Sequence, residues 1–158
     1  MKENSSFWLF KSEPSTFSIE HLKAKKASTS SWDGVRNYQA RNFMKQMKKG
    51  ELGFFYHSSC PEPGIFGIVS IVREAYIDHT CLDPKSEYYD PKSSEEAPRW
   101  FMVDVKLEKI FKEPILLSAL RENSKLASMI LLKRGNRLSV LPVTKKEWQE
   151  VLGMSLNP

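Results

Sequence analysis

The sequence contains few cysteines and no long hydrophobic run, and these two absences exclude several classes of protein. Cys60 and Cys81 are its only cysteines, too few for a disulfide framework, so we expect a reducing compartment. The longest nearly continuous apolar stretch, Ile65 to Val72, is interrupted by Gly67 and Ser70 and is far too short to cross a bilayer. We therefore expect no association with membranes.

The N-terminal residues lack the features of a secretory signal. Glu3, Asn4, Ser5 and Ser6 precede the first apolar run, without the basic and hydrophobic segments of a signal peptide. We expect a protein that is not secreted and lies in the cytoplasm, or in the nucleus if the organism is eukaryotic. Its 158 residues suffice for a hydrophobic core, and we expect a single domain over residues 1–158.

Basic residues outnumber acidic residues, and they are unevenly distributed. The chain has 24 Lys and Arg against 19 Asp and Glu, for a net charge of +5. Residues 1–50 carry a net charge of +6, residues 51–100 carry −5, and residues 101–158 carry +4. The two basic segments favour a polyanionic partner such as a nucleic acid.

Apolar patterns along the chain predict an α+β domain. Strands are predicted at residues 7–10, 29–32, 52–56, 65–75, 101–108 and 138–141. Helices are predicted at residues 19–25, 39–49, 116–121, 126–132 and 144–153. Because the strands dominate and the helices lie between them, a curved or barrel-like sheet with peripheral helices is the simplest arrangement.

Residues 78–99 form the longest segment without a periodic apolar pattern. They are rich in Asp, Glu, Ser and Pro, which predicts a loop. Loops of this length are uncommon in compact domains and often carry function.

The sequence contains no common catalytic motif. G-x-S-x-G and H-E-x-x-H are both absent. His57 and Cys60 lie three residues apart, a spacing that rarely gives the geometry of a nucleophilic pair. With His79 and Cys81 they supply four potential zinc ligands, but a His-x-Cys spacing suits one tetrahedral ion poorly. We therefore predict a protein that is not an enzyme and has no metal and no cofactor.

The densest mixture of aromatic, amide and basic residues lies between Trp32 and Asn42. An indole beside a turn can stack a nucleobase, and the amide of Asn37 can hydrogen-bond a base edge. Four basic residues in or near the following helix are predicted to contact the nucleic-acid backbone: Arg36, Arg41, Lys45 and Lys48. A solvated basic helix face and a buried Trp32 are the structural alternative.

Two long motifs are specific enough to indicate a family. Residues 7–14 read Phe-Trp-Leu-Phe-Lys-Ser-Glu-Pro, and residues 32–42 read Trp-Asp-Gly-Val-Arg-Asn-Tyr-Gln-Ala-Arg-Asn. Shorter motifs follow in order at residues 54–58, 63–65, 89–91, 98–100, 103–105 and 137–140. Together they resemble the EVE-domain family, and within it the thymocyte nuclear protein-like group. The resemblance implies a PUA-like fold, a small curved β-barrel with peripheral helices, and a distant kinship with YTH domains, which read N6-methyladenine in RNA through an aromatic cage.

By this resemblance, Trp32 is expected to stack a modified base of DNA or RNA. Lys11 and Ser12 take the places of the Lys-Ser pair that ends the first strand in YTH domains. Glu13 stands where those domains tend to carry Asn, and a carboxylate suits an exocyclic amino group such as cytosine N4. This difference favours a modified cytosine over a modified adenine, without identifying the modification.

Further residues complete the predicted ligand-binding pocket: Asn37, Tyr38, His57, Ser58 and Trp100. Asn37 could instead cap the helix that follows it, Tyr38 could cover the core, and Trp100 could pack there. The second aromatic side chain of the pocket is not assigned by a motif, and Trp100, Tyr76 and Tyr89 are the candidates.

The sequence therefore predicts a non-catalytic reader module that binds DNA or RNA with a modified base extruded from its stack. Two other functions remain open at this point. One is an enzyme acting on a nucleotide or modified nucleoside, with His57 or Glu13 as acid or base. The other is a protein-interaction scaffold that uses the loop at residues 78–99. The oligomeric state is not predicted.

Overall fold

A computed structural model describes residues 6–156 of the chain. Residues 3–5, on which the prediction of a protein that is not secreted partly depends, lie outside this range. The strands are β1 (Phe7–Ser12), β2 (Thr29–Trp32), β3 (Leu52–His57), β4 (Gly64–Ile77), β5 (Phe101–Leu116) and β6 (Val140–Val143).

All six strands belong to one mixed sheet with the order β2-β5-β4-β3-β1-β6. β1 and β3 are parallel, and the other neighbouring pairs are antiparallel. The sheet is strongly curved: three strands separate β1 from β2, yet the rings of Phe10 and Trp32 on these strands lie 5.1 Å apart. The predicted α+β fold with a curved sheet is confirmed. Among the described residues, hydrogen bonds do not close the sheet into a complete barrel.

The long strands β4 and β5 account for much of the curvature. Their pairing is interrupted by several register shifts, and an extra residue at a bulge bends and twists a strand. β5 continues to Leu116, beyond the predicted end at residue 108, because β4 pairs with it as far as Leu116. Its pairing with β2 ends at Lys106, so β4 is its one neighbour in the sheet beyond that residue among the described strands. Pro114 is tolerated there because no second neighbour needs its missing N–H donor.

The α-helices are α1 (Pro14–Phe17), α2 (Ile19–Ala24), α3 (Tyr38–Gln46), α4 (Leu117–Glu122) and α5 (Lys145–Leu156). α2 and α5 begin at the predicted caps: the Ser18 hydroxyl accepts from the His21 backbone, and Thr144 and Glu147 form a reciprocal capping box. α3 ends three residues before its predicted end, because Met47 already has extended backbone. The helix predicted at residues 126–132 is replaced by two single 3-10 turns, at 124–126 and 130–132.

Stacked aromatic rings join the last helix to β3 and to the start of β1. The ring of Trp148 on α5 stacks against Phe54 on β3 at 3.9 Å and against Phe7 on β1 at 4.6 Å. Stacked aromatic pairs at these distances add to the burial of apolar area. The two parallel strands are therefore fixed relative to the last helix of the chain.

We expect Gly67→Ala to lower the free energy of unfolding by about 1–3 kcal/mol, the usual cost of overpacking. A Cβ at this position would clash with the backbone carbonyl oxygen of Lys109 and would lie 2.6 Å from Cδ1 of Ile19. Gly153→Ala in α5 is the matched control, because its Cβ would meet open space, and we expect it to be neutral or stabilising by up to about 1 kcal/mol. Denaturant unfolding measures both, and equal stability of Gly67→Ala and wild type would contradict this packing.

Candidate functional site

An open cleft of about 390 Å³ lies where the ends of β1 and β2 meet, within the size range of small-molecule sites. Its walls come from the end of β1, from α1, from residues 30–36 and from the loop at residues 78–99. Four of the predicted site residues line it together: Lys11, Ser12, Trp32 and Arg36. The curvature of the sheet brings these residues together from two strands that do not pair.

Trp32 is both a wall of this cleft and part of the core. Only 7% of the residue is exposed. Its ring makes edge-to-face contacts with Phe10, Phe17 and Phe55, at centroid distances of 5.1, 6.0 and 5.4 Å. Such contacts fix the orientation of the indole. The two interpretations of Trp32 offered by the sequence, core residue and pocket wall, therefore apply to the same side chain.

Polar side chains line the same cleft as the indole of Trp32. Ser12 and the half-buried Lys11 lie at the end of β1, and burial lowers the pKa of the Lys11 ammonium. Asp33 also lines the cleft, and its pKa is raised by desolvation and by the nearby carboxylate of Asp78. Asp33 is not one of the site residues predicted from the sequence.

Two further predicted residues lie in an adjoining cavity of about 510 Å³ rather than in the cleft itself. Glu13 and Ser58 line this second cavity, which shares Lys11 and Ser12 with the cleft. Glu13 therefore lies next to Ser12, at the end of β1, but it does not line the cleft that contains the indole of Trp32.

Besides Trp32 and Phe17, the ring of Tyr88 lines the cleft, and Tyr88 is not one of the aromatic residues predicted from the sequence. Its ring lies against Gly34, where an added Cβ would be 2.7 Å from ring carbon Cε2, and Gly34 has a φ of +78° that favours glycine. Among the aromatic candidates, Tyr89 is 42% exposed and Tyr76 donates from its hydroxyl to Asp104 on β5. A loop without periodicity contains no signal that distinguishes Tyr88 from its neighbour.

A buried carboxylate attaches the loop to the segment that follows Trp32. Asp78 accepts hydrogen bonds from the Gly34 backbone (2.8 Å), from Nη1 of Arg36 (3.1 Å) and from the Thr80 backbone (2.8 Å). Arg36 also donates from Nε and Nη2 to the carbonyl oxygen of Tyr88, at 3.1 and 2.9 Å. Burial alone would raise the pKa of Asp78, but its hydrogen bonds, led by that from Thr80, outweigh this effect and lower the pKa.

Asn37, Tyr38 and Trp100 form a separate cluster outside the lining of the cleft. The Asn37 side chain accepts from the Ala40 backbone at 2.9 Å and caps α3. The rings of Tyr38 and Trp100 stack at 4.7 Å, and Nε1 of Trp100 donates to Asp90 at 2.7 Å. Asn37 therefore caps α3 and Trp100 is buried, whereas Tyr38 is 49% exposed and has one ring face on Trp100. A role of these three residues in base binding remains a prediction.

His57 is the last residue of β3, where it is buried and does not line the cleft. Its Nε2 accepts a hydrogen bond from the Ile19 backbone at 3.1 Å, and its ring stacks on Phe66 at 4.0 Å. Burial lowers the pKa of His57 below its ordinary value of 6.5, which agrees with a neutral ring that accepts at Nε2.

The four basic residues predicted to contact the backbone of a nucleic acid have different environments in the structure. The guanidinium groups of Arg36 and Arg41 are used internally, and that of Arg41 donates to the carbonyl oxygen of Arg99 at 2.8 Å. Lys45 lies over the ring of Phe101 at 4.8 Å, and Lys48 is exposed. The predicted contact of this helix face with phosphates remains a prediction.

Residues 6–156 contain neither a candidate metal cluster nor a candidate membrane-spanning helix. In that range, no group of three or more His, Cys, Asp and Glu side chains could hold a metal ion. None of the helices described there is long and apolar enough to span a bilayer.

Comparisons with known proteins identify a family and several relatives. The EVE domain matches residues 6–154 of the chain. Human thymocyte nuclear protein 1 is 46% identical over 171 aligned positions, which cover 98% of this chain and 76% of the relative. The resemblance predicted from the motifs is therefore confirmed.

Two solved structures place the fold in a wider context. The crystal structure of human THYN1 protein in complex with 5-methylcytosine-containing DNA has a TM-score of 0.93 and 46% identity, and covers 98% of this chain and 99% of that one. The YTH domain of the Zygosaccharomyces rouxii MRB1 protein, in complex with N6-methyladenosine RNA, has a TM-score of 0.56 and 13% identity, over 98% and 89% of the two chains. The second likeness shows a shared fold.

The lowered pKa of His57 predicts a pH-dependent stability. The unfolded chain binds a proton at this histidine more readily than the folded protein, so the stabilisation is complete above pH 6.5 and is lost as the pH falls towards the folded pKa. We expect His57→Gln to lack this component, which has a slope of at most about 1.4 kcal/mol per pH unit. Denaturant unfolding of both proteins between pH 5 and 8 measures it. Identical pH profiles would contradict a buried neutral His57.

We expect Asp78→Asn to lower the free energy of unfolding by about 2–4 kcal/mol. The NH2 group of the new asparagine would face N–H donors that the carboxylate now accepts from, and the ion pair with the partly exposed Arg36 would be lost. In wild type this contribution is present above pH 3.8 and is lost as the pH falls through the lower folded pKa. Asp83→Asn, an exposed position in the same loop, is the matched control. Equal stability of the two variants, measured at pH 7, would contradict the role of Asp78.

Proposed function

We propose that this chain, which belongs to the EVE domain family, is a non-catalytic reader that binds DNA carrying a modified base. The observation that carries this proposal is the cleft, in which an indole, a tyrosine ring and several polar side chains line one cavity. Human THYN1, 46% identical to this chain, was crystallised in complex with DNA containing 5-methylcytosine. That complex supports DNA as the partner and a modified cytosine as the base.

In this proposal the modified base leaves its stack and enters the cleft between Trp32 and Tyr88. Extruding a base costs a few kcal/mol, and less when the strand is already single. Stacking on aromatic side chains returns about 1–3 kcal/mol per base. Because these terms are similar in size, hydrogen bonds to the base edge must supply the remaining affinity.

Carboxylates in the cleft and in the adjoining cavity suit the edge of cytosine. Asp33 lines the cleft with Trp32 and Ser12, and Glu13 lines the adjoining cavity. A carboxylate accepts from the exocyclic amino group at N4 of cytosine, whereas thymine presents an oxygen at the equivalent position. The acidic side chains therefore favour 5-methylcytosine over thymine, although both bases carry a methyl group at C5. Asp33 and Glu13 are our candidates for this recognition.

The position of His57 favours a reader over an enzyme. An acid or base must reach the reacting atoms, but His57 is buried with its Nε2 committed to the backbone of Ile19. We propose that the ligand is bound and released unchanged. The human relative is named a nuclear protein, and we propose a nuclear location for this chain if it comes from a eukaryote.

We expect Tyr88→Ala to weaken the binding of an oligonucleotide containing 5-methylcytosine by about 1–3 kcal/mol, through the loss of one stacking surface. Tyr89→Ala is the matched control, since it makes the same chemical change at the adjacent, exposed residue outside the cleft. Fluorescence anisotropy at fixed salt concentration measures both, with oligonucleotides that carry 5-methylcytosine, cytosine or thymine at one position.

Two outcomes of this experiment would contradict the proposal. Equal affinity of the wild-type protein for all three oligonucleotides would exclude a reader of modified cytosine. A loss of affinity in Tyr89→Ala but not in Tyr88→Ala would place the base elsewhere on the loop.

A further inference from the structure

A third cavity, of about 510 Å³, lies beside the cleft and has a different chemical character. It shares Lys11 with the cleft, and it shares Ser58 and Ser59 with the cavity that contains Glu13. The three cavities therefore adjoin one another around the end of β1. We call the third cavity the basic groove, because four of its lining residues are cationic and none is acidic: Lys11, Arg121, Lys133 and Arg134.

The cations that the basic groove adds to Lys11 have no acidic partners. Arg121, Lys133 and Arg134 are exposed, and none of them forms an ion pair within residues 6–156. By contrast, the guanidinium groups of Arg36 and Arg41 already have internal acceptors. Like charges gathered on one surface without counter-charges attract polyanions, and an arginine guanidinium matches a phosphate with two parallel hydrogen bonds.

A free donor in the same wall adds a second observation. Asn136 lines the groove, and its Oδ1 accepts a hydrogen bond from the backbone of Leu138 at 3.1 Å. Its Nδ2 is buried and has no hydrogen-bond partner in the described part of the chain. A buried unpaired donor is costly, and a phosphate oxygen entering beside it after a small loop shift would satisfy it.

We infer that the basic groove binds the phosphodiester backbone of the nucleic acid whose modified base occupies the cleft, an inference that rests on the proposed function. An extruded nucleotide carries its phosphates with it, so the strand must leave the mouth of the cleft along an adjoining surface. Lys11 lies at the junction of the two sites. The backbone path therefore runs from the cleft past Lys11 towards Arg121 and the loop at residues 133–136, rather than along α3.

The experiment compares three double variants that each remove two positive charges. Lys133→Ala/Arg134→Ala acts in the basic groove, and Lys45→Ala/Lys48→Ala acts on α3 and the residues directly after it. Lys145→Ala/Lys146→Ala is a control at exposed positions on α5. The dissociation constants of methylated and unmethylated oligonucleotides are measured between 50 and 300 mM salt. Thermal unfolding verifies that each variant is folded.

We expect the groove variant to reduce the slope of log K against log salt by about 1.4 for single strands or 1.8 for duplex. Its affinity should fall roughly 20- to 60-fold at 0.1 M salt, equally for methylated and unmethylated DNA. The α5 control should keep the wild-type slope. An unchanged slope in the groove variant would overturn the inference, and a reduced slope in the α3 variant alone would assign the backbone path to that helix.

The experiment distinguishes a wrong proposed function from a wrong assignment of the basic groove. If wild type binds methylated and unmethylated DNA equally, the reader function fails, while the slope on unmethylated DNA still tests the groove. If wild type prefers methylated DNA and the groove variant keeps its slope, only the groove is excluded.

Discussion

The buried carboxylate of Asp78 determines where the long loop lies relative to the sheet. It binds the backbone of Gly34 and the guanidinium of Arg36, which in turn holds the carbonyl of Tyr88. A buried carboxylate that loses its donors costs several kcal/mol, so the loop and the segment after Trp32 must order together. The contact of the Tyr88 ring with Gly34 follows from this arrangement, and so does the shape of one wall of the cleft.

Trp32 couples the stability of the fold to the shape of the site. Its ring is fixed by Phe10, Phe17 and Phe55, which belong to β1, α1 and β3, so the cleft inherits the rigidity of the core. Rigid aromatic walls lower the conformational entropy that the protein loses when a ligand binds. The same packing means that truncating Trp32 removes core contacts as well as the cleft wall. For this reason the rim residue Tyr88, which is only half-buried, isolates binding from folding more cleanly.

Features with a local physical cause could be predicted from the sequence, whereas those with a tertiary cause could not. The Ser18 cap and the Thr144–Glu147 capping box depend on residues three apart, and both were predicted. That Lys11, Ser12 and Trp32 lie at one site could be predicted only from the family resemblance, because no local pattern shows that β1 and β2 converge. Register and curvature depend on bulges in β4 and β5, which hydrophobic periodicity does not reveal.

The residues that were missed or given other contacts share one physical feature, a dependence on distant partners. The choice of Tyr88 over Tyr89 depends on Asp78, and two of its donors, Gly34 and Arg36, lie more than 40 residues earlier in the chain. Arg36 looked like a phosphate ligand because its internal acceptors are equally remote in sequence. The basic surface next to the cleft is likewise assembled from β1, α4 and a loop near residue 134, so a count of charges along the chain favoured α3 instead.

In the proposed reader, the cleft and the surface around it contribute different parts of the binding free energy. One buried methyl group contributes about 0.8 kcal/mol, which is only about fourfold in affinity because 1.4 kcal/mol corresponds to tenfold. Phosphate contacts add far more affinity, but they add it equally to modified and unmodified DNA. In the proposed reader, discrimination between methylated and unmethylated cytosine beyond about fourfold must therefore come from the cleft walls, which would leave an unmodified base poorly packed, whereas the candidate carboxylates would act on the choice between cytosine and thymine. A cleft whose inner wall belongs to the core is suited to this role, because it cannot collapse around the smaller base.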